Sequence, residues 1–506
     1  MGAQQNSAAF GERTPRGNEL VVNLERPLPS PLPLGSGTAV FCLGTCFHPC
    51  ESVEDLEIVV DGARHRPAAF GMPRPDVGDP QSASFRSGFW ATVPIEARQR
   101  PVMIELQVAA RLGSGLELVA PLGRIEVAER QAPPALEAVP EVSRPGLIAI
   151  CMATFEPDAS LFRTQIESLR SQTDQRWVCL ISDDCSSSEH IEQIRQIVGS
   201  DRRFALSRSE SRLGFYRNFE RALRMVPAEA ELVALCDQDD RWHPDKLETL
   251  RATLGEAQLV YSDQRLVDAE GRLLRETLWK GRRNNHTNLA SMLIANTITG
   301  AATLFRRELL DLALPFPDTP GFQFHDHWLG AVALAAGDVA YVDRPLYDYV
   351  QHAGAVFGDV TQGPAASIRA GERLRRSLRA SREVFDRWRA AYFYGYMARE
   401  VQAQTLLVRC DARLTPGKRR ALRRLAASAH SPAAFAWLVV RPLRGIVGRS
   451  ETLRSETQFA CGILWQWLVA LRGRWEAIPG RILSDASFPP PGSFNQGRLR
   501  RWRARV

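Results

Sequence analysis

Residues 231–242 read ELVALCDQDDRW and place the strongest single constraint on the fold. The apolar run from Leu232 to Cys236 suits a strand buried on both faces, as inside a parallel sheet, and it stops abruptly at Asp237, Asp239 and Asp240. Like charges about 4 Å apart repel by about 1 kcal/mol even in water, and by more where solvent is thin. A divalent cation relieves that repulsion, and carboxylate oxygens suit magnesium, manganese or calcium better than zinc. A solvated acidic turn closing a strand fits the same residues.

The same texture recurs upstream. Leu147 to Met152 is an apolar strand leading into Ala153-Thr154-Phe155, and Trp177 to Ser182 is another that runs into Asp183 and Asp184. Apolar residues at helical spacing predict helices near 161–171, 189–198 and 214–225, with a short strand at 204–206. Such alternation predicts an α/β fold with a Rossmann-like, mostly parallel sheet whose ligands sit at the carboxyl ends of the strands. Three of those ends are polar: Thr154, the Asp183-Asp184 pair and the 237–240 cluster. Together they offer a hydroxyl, a carboxylate pair for a base or ribose and a cation site, the groups that chemistry on a nucleotide diphosphate needs. Neither G-x-x-x-x-G-K-[ST] nor G-x-G-x-x-G occurs, which disfavours P-loop and dinucleotide-binding folds.

Residues 19–130 carry short β-type runs broken by Pro and Gly, with Asp61-Gly62 as a hairpin signal, and predict a small all-β sandwich. A Pro-rich linker, 131–145, joins it to the α/β region, and the polar, Gly-rich stretch 1–18 has a disordered composition. Cys42, Cys46 and Cys50 beside His48 invite a zinc reading, but the C-x3-C spacing without a second ligand pair favours buried thiols. Nine scattered cysteines and no signal-peptide pattern predict reduced thiols in the cytoplasm.

Eight short motifs follow one another along the central region. They are Ala153-Thr154-Phe155, Ser182-Asp183-Asp184-Cys185-Ser186, Leu213-Gly214 with Asn218, and Asp237-Gln238-Asp239-Asp240-Arg241-Trp242 with Lys246. Then come Val260-Tyr261-Ser262-Asp263, Thr299-Gly300 with Phe305 to Leu309, His325-Asp326-His327-Trp328 and Tyr349-Val350-Gln351-His352. In this order they resemble the family 2 glycosyltransferases of the GT-A fold, in the subset that includes bacterial rhamnosyltransferases of surface polysaccharide synthesis. The resemblance covers 146–360. It implies a nucleotide-diphosphate sugar donor and a divalent ion, Mg2+ or Mn2+. By that resemblance Thr154, Asp183, Asp184 and Gly214 lie around the donor, Asp239 is the principal metal ligand, Asp237 is shared between metal and ribose, and Asp240 supports them. His352 faces the diphosphate. Asp326 falls where the family places the base of an inverting transfer, and Asn296, Thr299, Gly300, His325, His327 and Trp328 fall on the acceptor side. Val350 departs from the family's Tyr-Arg-Gln-His pattern and removes a cation from the phosphate side. Read as residues alone, His325 and His327 also suit a helix start, His352 a plain loop histidine, and Trp242 and Lys246 packing and helix-surface positions. A nucleotidyltransferase-like enzyme, or a non-catalytic nucleotide-sugar or glycan-binding protein of the same fold, is the alternative.

Residues 361–506 read as a basic α-helical region. From 365 onward the chain holds 28 of its 64 Lys and Arg but 9 of its 57 Asp and Glu, a net +19; residues 1–364 hold the other 36 and 48, a net −12. A helix of 13 residues, the length of the apolar run 459–471, spans about 20 Å, short of a hydrocarbon core of about 30 Å. Arginines around this run and around 433–440 suit helices lying on an anionic membrane, placing the chain at the inner face of the cell membrane with a glycan or lipid-linked acceptor. A helical appendage packed on the catalytic region fits the same composition. The Lys and Arg runs carry no nucleic-acid motif, so no nucleic acid partner is expected.

Overall fold

A computed structural model describes residues 19–140, 145–278, 285–321, 323–352, 384–446, 452 and 455–474. The expected disorder of 1–18 and the helical reading of 365–383 lie outside these residues, as does 475–506.

The first region is the expected β-sandwich. One sheet pairs Val21–Leu24, Thr38–Phe47, Gly88–Ile95 and Ala69–Met72; the other pairs Leu32–Pro33, Glu117–Ala128, Val102–Leu112, Val53–Val60 and Ala63–His65. Alternation places Leu56, Ile58 and Val60 inward against Phe89, Val93, Leu106 and Val108. The Asp61-Gly62 hairpin forms as its sequence requires, with φ of 51° and 79° at the two turn residues. Cys42 and Cys46 are packed in this core, and burial pushes both thiols up to about 12. His48 Nδ1 accepts the backbone N–H groups of Cys50 and Glu51, so the histidine caps a turn; Cys42 and Cys46 are buried as expected, whereas Cys50 is exposed on that turn.

In the central sheet, Phe204–Arg208, Trp177–Asp183, Ile148–Thr154 and Leu232–Cys236 run parallel in that spatial order. Antiparallel Thr303–Arg306 follows, then Leu259–Asp268, Val339–Gln351 and the short edge strand Arg241–Trp242, with Leu273–Arg275 paired to Leu259–Asp268. The helices form within about two residues of their expected ends, as capping fuzziness allows. Ala159–Arg170 starts where the Asp158 side chain accepts from Ser160 N and Leu161 N, and it buries Phe162, Ile166 and Leu169 at helical spacing. Ser188–Val198 is capped by Ser187 and buries Ile191 and Ile194. Phe215–Arg224 buries Phe219, Ala222 and Leu223. Each such side chain contributes about 1.5–3 kcal/mol when fully buried.

The C-terminal region is helical: a π-helical segment Ala391–Met397, then Ala398–Arg409, Pro416–Ala426, Pro432–Val440, Leu443–Ile446 and Ser455–Arg474. These helices fill the space between sandwich and sheet. Trp90 Nε1 donates to Tyr392 Oη at 3.0 Å, Ala39 N to Thr405 Oγ1 at 3.0 Å, and Arg409 Nη1 to the carbonyls of Leu312, Ala313 and Pro315. Gly462 lets two helices touch, since a Cβ there would lie 2.6 Å from Tyr392 N.

This packing changes the reading of the apolar tail segments. Phe459, Ile463, Trp465 and Val469 are buried against protein. Arg441, a flanking cation in the sequence, is 4% exposed and pairs with the equally buried Glu456, while donating to Ser291 Oγ at 2.6 Å. A short apolar run looks the same whether protein or lipid covers it, and only tertiary contacts distinguish the two. Leu443, Ile446, Leu464, Leu468 and Leu471 keep exposed apolar surface. No helix among the described residues is long and apolar enough to cross a membrane.

Candidate functional site

Thr154 and Asp183 end neighbouring parallel strands in direct register. The Thr154 hydroxyl donates to Asp183 Oδ2 at 3.1 Å, and the same carboxylate accepts Ser186 N–H at 2.9 Å and Ser186 O–H at 2.5 Å. Asp184 accepts the N–H groups of Leu213 at 2.6 Å and Gly214 at 2.9 Å. Both carboxylates are buried and turned inward, where the sequence expected them around a base and ribose. The physical reason is that a chain leaving a strand carries unpaired N–H groups, and a short acidic side chain is the nearest acceptor. They shape the loop that carries Gly214, whose φ of 81° opens the Phe215–Arg224 helix. Asn218 joins the same ends, donating to Thr154 O and Ser182 O and accepting from Ser182 Oγ.

The third strand end adds a residue that sequence reasoning had passed over. Gln238 clamps the backbone of Phe155, accepting its N–H at 2.8 Å and donating to its carbonyl at 3.2 Å. Its position between two aspartates was the available signal. Arg212 lies over the Phe155 ring, 3.5 Å from its centroid.

Within the cluster, burial pushes Asp237 up to about 7, and the charges of Asp239 and Asp326 push the same way. Asp240 is raised well above the usual carboxylate range by burial, then by Asp237 and Asp239; its Oδ1 accepts Val350 N–H and its Oδ2 has no partner. Lys246, expected on a helix surface, is instead wholly buried, and burial holds its pKa well below the usual lysine range. Its Nζ lies 3.1 Å from the Trp242 ring centroid and donates to the Ala301 carbonyl. Asp239 Oδ2 is 2.7 Å from His352 Nε2, and this bond raises the histidine's pKa. His352 thus meets the expected metal ligand itself. Among the described residues no three His, Cys, Asp or Glu side chains stand ready to hold an ion. Asp237 and Asp239 still fit Mg2+ or Mn2+, because such ions bind through one or two carboxylates completed by phosphate oxygens and water.

Across the site, Asp326 opens the helix His325–Ala336 and keeps part of its surface open. Its Oδ1 accepts Asn296 Nδ2 at 3.1 Å and His327 N–H at 2.6 Å. Of the rest of the expected acceptor-side group, Asn296 and Thr299 keep partial exposure, while Gly300, His325, His327 and Trp328 are buried. His327 Nε2 bonds the Met292 carbonyl, and Trp328 Nε1 donates to the Ala313 carbonyl. His325 is stacked on Phe219 at 3.7 Å with neither ring nitrogen partnered, and burial holds its pKa down to about 3. A Cβ at Gly300 would lie 2.5 Å from His325 Nε2, so glycine follows Thr299 to admit the ring. Thr299 itself precedes the 3-10 turn Gly300–Ala302. These inward positions follow from a helix buried on nearly every face; in its first turn only Asp326 keeps open surface.

Comparison with known proteins gives the following. The chain is 26% identical over 132 residues to the uncharacterized protein y4gI of Sinorhizobium fredii, a match that covers 25% of this chain and 14% of that relative's length. Among solved structures it is similar to TarS of S. aureus with UDP-GlcNAc, at 14% identity and a TM-score of 0.37, over 65% of this chain and 91% of that one. It is also similar to a mannosyltransferase of Pyrobaculum calidifontis with GDP-Man and Mn2+, at 16% identity and a TM-score of 0.34, over 68% and 91%. Asp326 and His352 lie beyond the stretch that a family model matches. That stretch holds all three polar strand ends: residues 149–312 match the family model described as glycosyl transferase family 2.

Proposed function

We propose that this chain is an inverting, divalent-metal-dependent glycosyltransferase that moves a sugar, rhamnose in the first instance, from a nucleotide-diphosphate donor to a hydroxyl of a surface polysaccharide or lipid-linked glycan. The observation that carries this reading is that Thr154, Asp183 and the 237–240 cluster end adjacent parallel strands within the stretch matched by the glycosyl transferase family 2 model. Asp326, held by Asn296, takes the proton from the attacking acceptor hydroxyl. Asp239 and Asp237 would hold Mg2+ or Mn2+, which when bound would neutralise the leaving diphosphate. Thr154, Asp183 and Asp184 act by setting the loops of Phe155 and Gly214 against which the nucleotide lies. His352 stays beside Asp239 and supplies a proton donor on the phosphate side. Gln238 fixes the height of the cluster relative to the first strand.

The test is a panel of nucleotide sugars with Mn2+ or Mg2+, read by thermal shift. One donor should stabilise the protein only with the metal, and Asp239→Ala should lose that shift; a panel without any metal-dependent shift sinks the reading. A peripheral site at the cytoplasmic membrane face belongs to the same proposal and rests on exposed Leu443, Ile446, Leu464, Leu468 and Leu471 in a strongly basic region. Co-sedimentation with anionic vesicles, lost on replacing Leu464 and Leu468 by Ser, checks it.

A further inference from the structure

Arg241, Asp348 and Arg265 stand in one row across three neighbouring strands. Arg241 of the edge strand Arg241–Trp242 is in register with Asp348 of Val339–Gln351, and Asp348 is in register with Arg265 of Leu259–Asp268. Their side chains meet. Arg241 Nε and Nη2 donate to Asp348 Oδ2 at 2.9 and 2.5 Å, and Arg265 Nε donates to Oδ1 at 2.6 Å. His243 Nε2 lies 3.0 Å from the same Oδ1 and 3.0 Å from Arg265 Nη2. Two guanidiniums and an imidazole thus converge on one carboxylate from one face of the sheet.

The acid is sealed and the cations are not. The Asp348 side chain is 0% exposed, whereas that of Arg241 is 50% and that of Arg265 36%. Two positive charges against one negative leave the row in surplus before His243 is counted. Among the described residues neither arginine pairs with another carboxylate, and Nη1 of each has no partner. Fastening an edge strand needs one such pair; a second arginine on the same carboxylate adds repulsion between like charges, which a further anion between their outer nitrogens relieves. Asp348 meanwhile holds each guanidinium through Nε, so the outer edge of each is presented ready-placed and loses little side-chain freedom on binding. Asp348 and His352 are four residues apart, about 13 Å of extended chain, and His352 Nε2 is 2.7 Å from Asp239 Oδ2. The row therefore lies beside the acidic cluster, along the strand that leads to it.

We propose that Arg241, Arg265 and His243 form an anion subsite, preorganised by the buried Asp348, that takes a phosphate or carboxylate group borne by a glycan substrate. The planar forks of the two arginines match the oxygens of such a group in two-point fashion, which lysines would not. That the anion belongs to a glycan rests on the glycosyltransferase reading, whereas the anion site stands without it. A phosphorylated sugar and a uronic acid both carry the required chemistry.

The full chain is titrated calorimetrically, at low ionic strength and without metal, with inorganic phosphate, with glucose 6-phosphate and with a galacturonate trimer. Wild type should bind inorganic phosphate, and Arg241→Gln and Arg265→Gln should each bind it about tenfold more weakly. Arg124→Gln, which removes an exposed arginine of the sandwich paired to Glu105, should bind it as wild type does. Tighter binding of glucose 6-phosphate or of the trimer, dependent on Arg265, supports the subsite and names its source. Should wild type bind none of the three, or bind them no better than both Gln variants, or should Arg124→Gln weaken binding equally, the subsite is overturned. If a Gln variant does not fold, Arg265→Lys decides, since it keeps the charge and loses the fork: weaker phosphate binding supports the subsite and unchanged affinity overturns it. Binding of UDP with Mn2+, measured on separate samples of the same proteins, reports on the donor reading alone.

Discussion

At the scale of single residues, side chains that looked equivalent in the sequence have unequal tasks. Asp326 is the one member of His325-Asp326-His327-Trp328 with open surface, so Asp326→Asn should lose about 10² to 10⁴ in turnover while donor binding by titration is kept. Gly300 makes a second test. Adding a Cβ there presses on a histidine ring that is stacked and cannot swing away, so Gly300→Ala should cost about 1–3 kcal/mol in chemical denaturation. The cost should shrink when His325 is already Ala, a coupling that a double-mutant cycle measures. The motifs were legible because chemistry needs those residue types at strand ends. The direction in which each side chain points was not legible, because Asp183 and Asp184 serve loop N–H groups as readily as they would serve a ribose.

At the scale of elements, strand and helix alternation was readable through period and caps, since a buried parallel strand has to be apolar throughout and a helix has to cover it with one face. The far half of the sheet was harder. Its short edge strand Arg241–Trp242 has no pattern of its own and is held by Asp348, which sits wholly buried on Val339–Gln351. Burial pushes the Asp348 carboxyl up, but bonds from His243, Arg265 and Arg241 outweigh it and hold the pKa well below 3.8. Asp348 therefore contributes its full stability above the unfolded value, and that contribution is lost as pH falls toward the depressed folded value. Asp348→Asn should destabilise the protein by about 3 kcal/mol at pH 7, read by urea denaturation, and should lessen the acid loss seen in wild type below pH 4, roughly the usual Asp pKa.

At the scale of the whole molecule, the helices after residue 384 bind the sandwich to the central sheet, and Glu400 sits in that seam. Burial raises its carboxyl to about 8 from 4.5, with Thr92 bringing it only partly back. For a group raised in the fold, stability is fully present below 4.5 and declines until pH passes about 8. Glu400→Gln should remove a pH-dependent loss on the order of 2–4 kcal/mol, visible as a melting temperature that falls less than that of wild type between mildly acidic and mildly alkaline buffer. The sequence by itself determined the order of the three regions, the α/β class, the polar strand ends and the acidic cluster, because each follows from local periodicity or from charges a few residues apart. Tertiary structure alone decided that Phe459, Ile463, Trp465 and Val469 of the apolar tail run are covered by protein, and that Lys246 is buried. Those outcomes depend on contacts between residues far apart in the chain, and a buried surface carries no local mark of which distant segment will cover it.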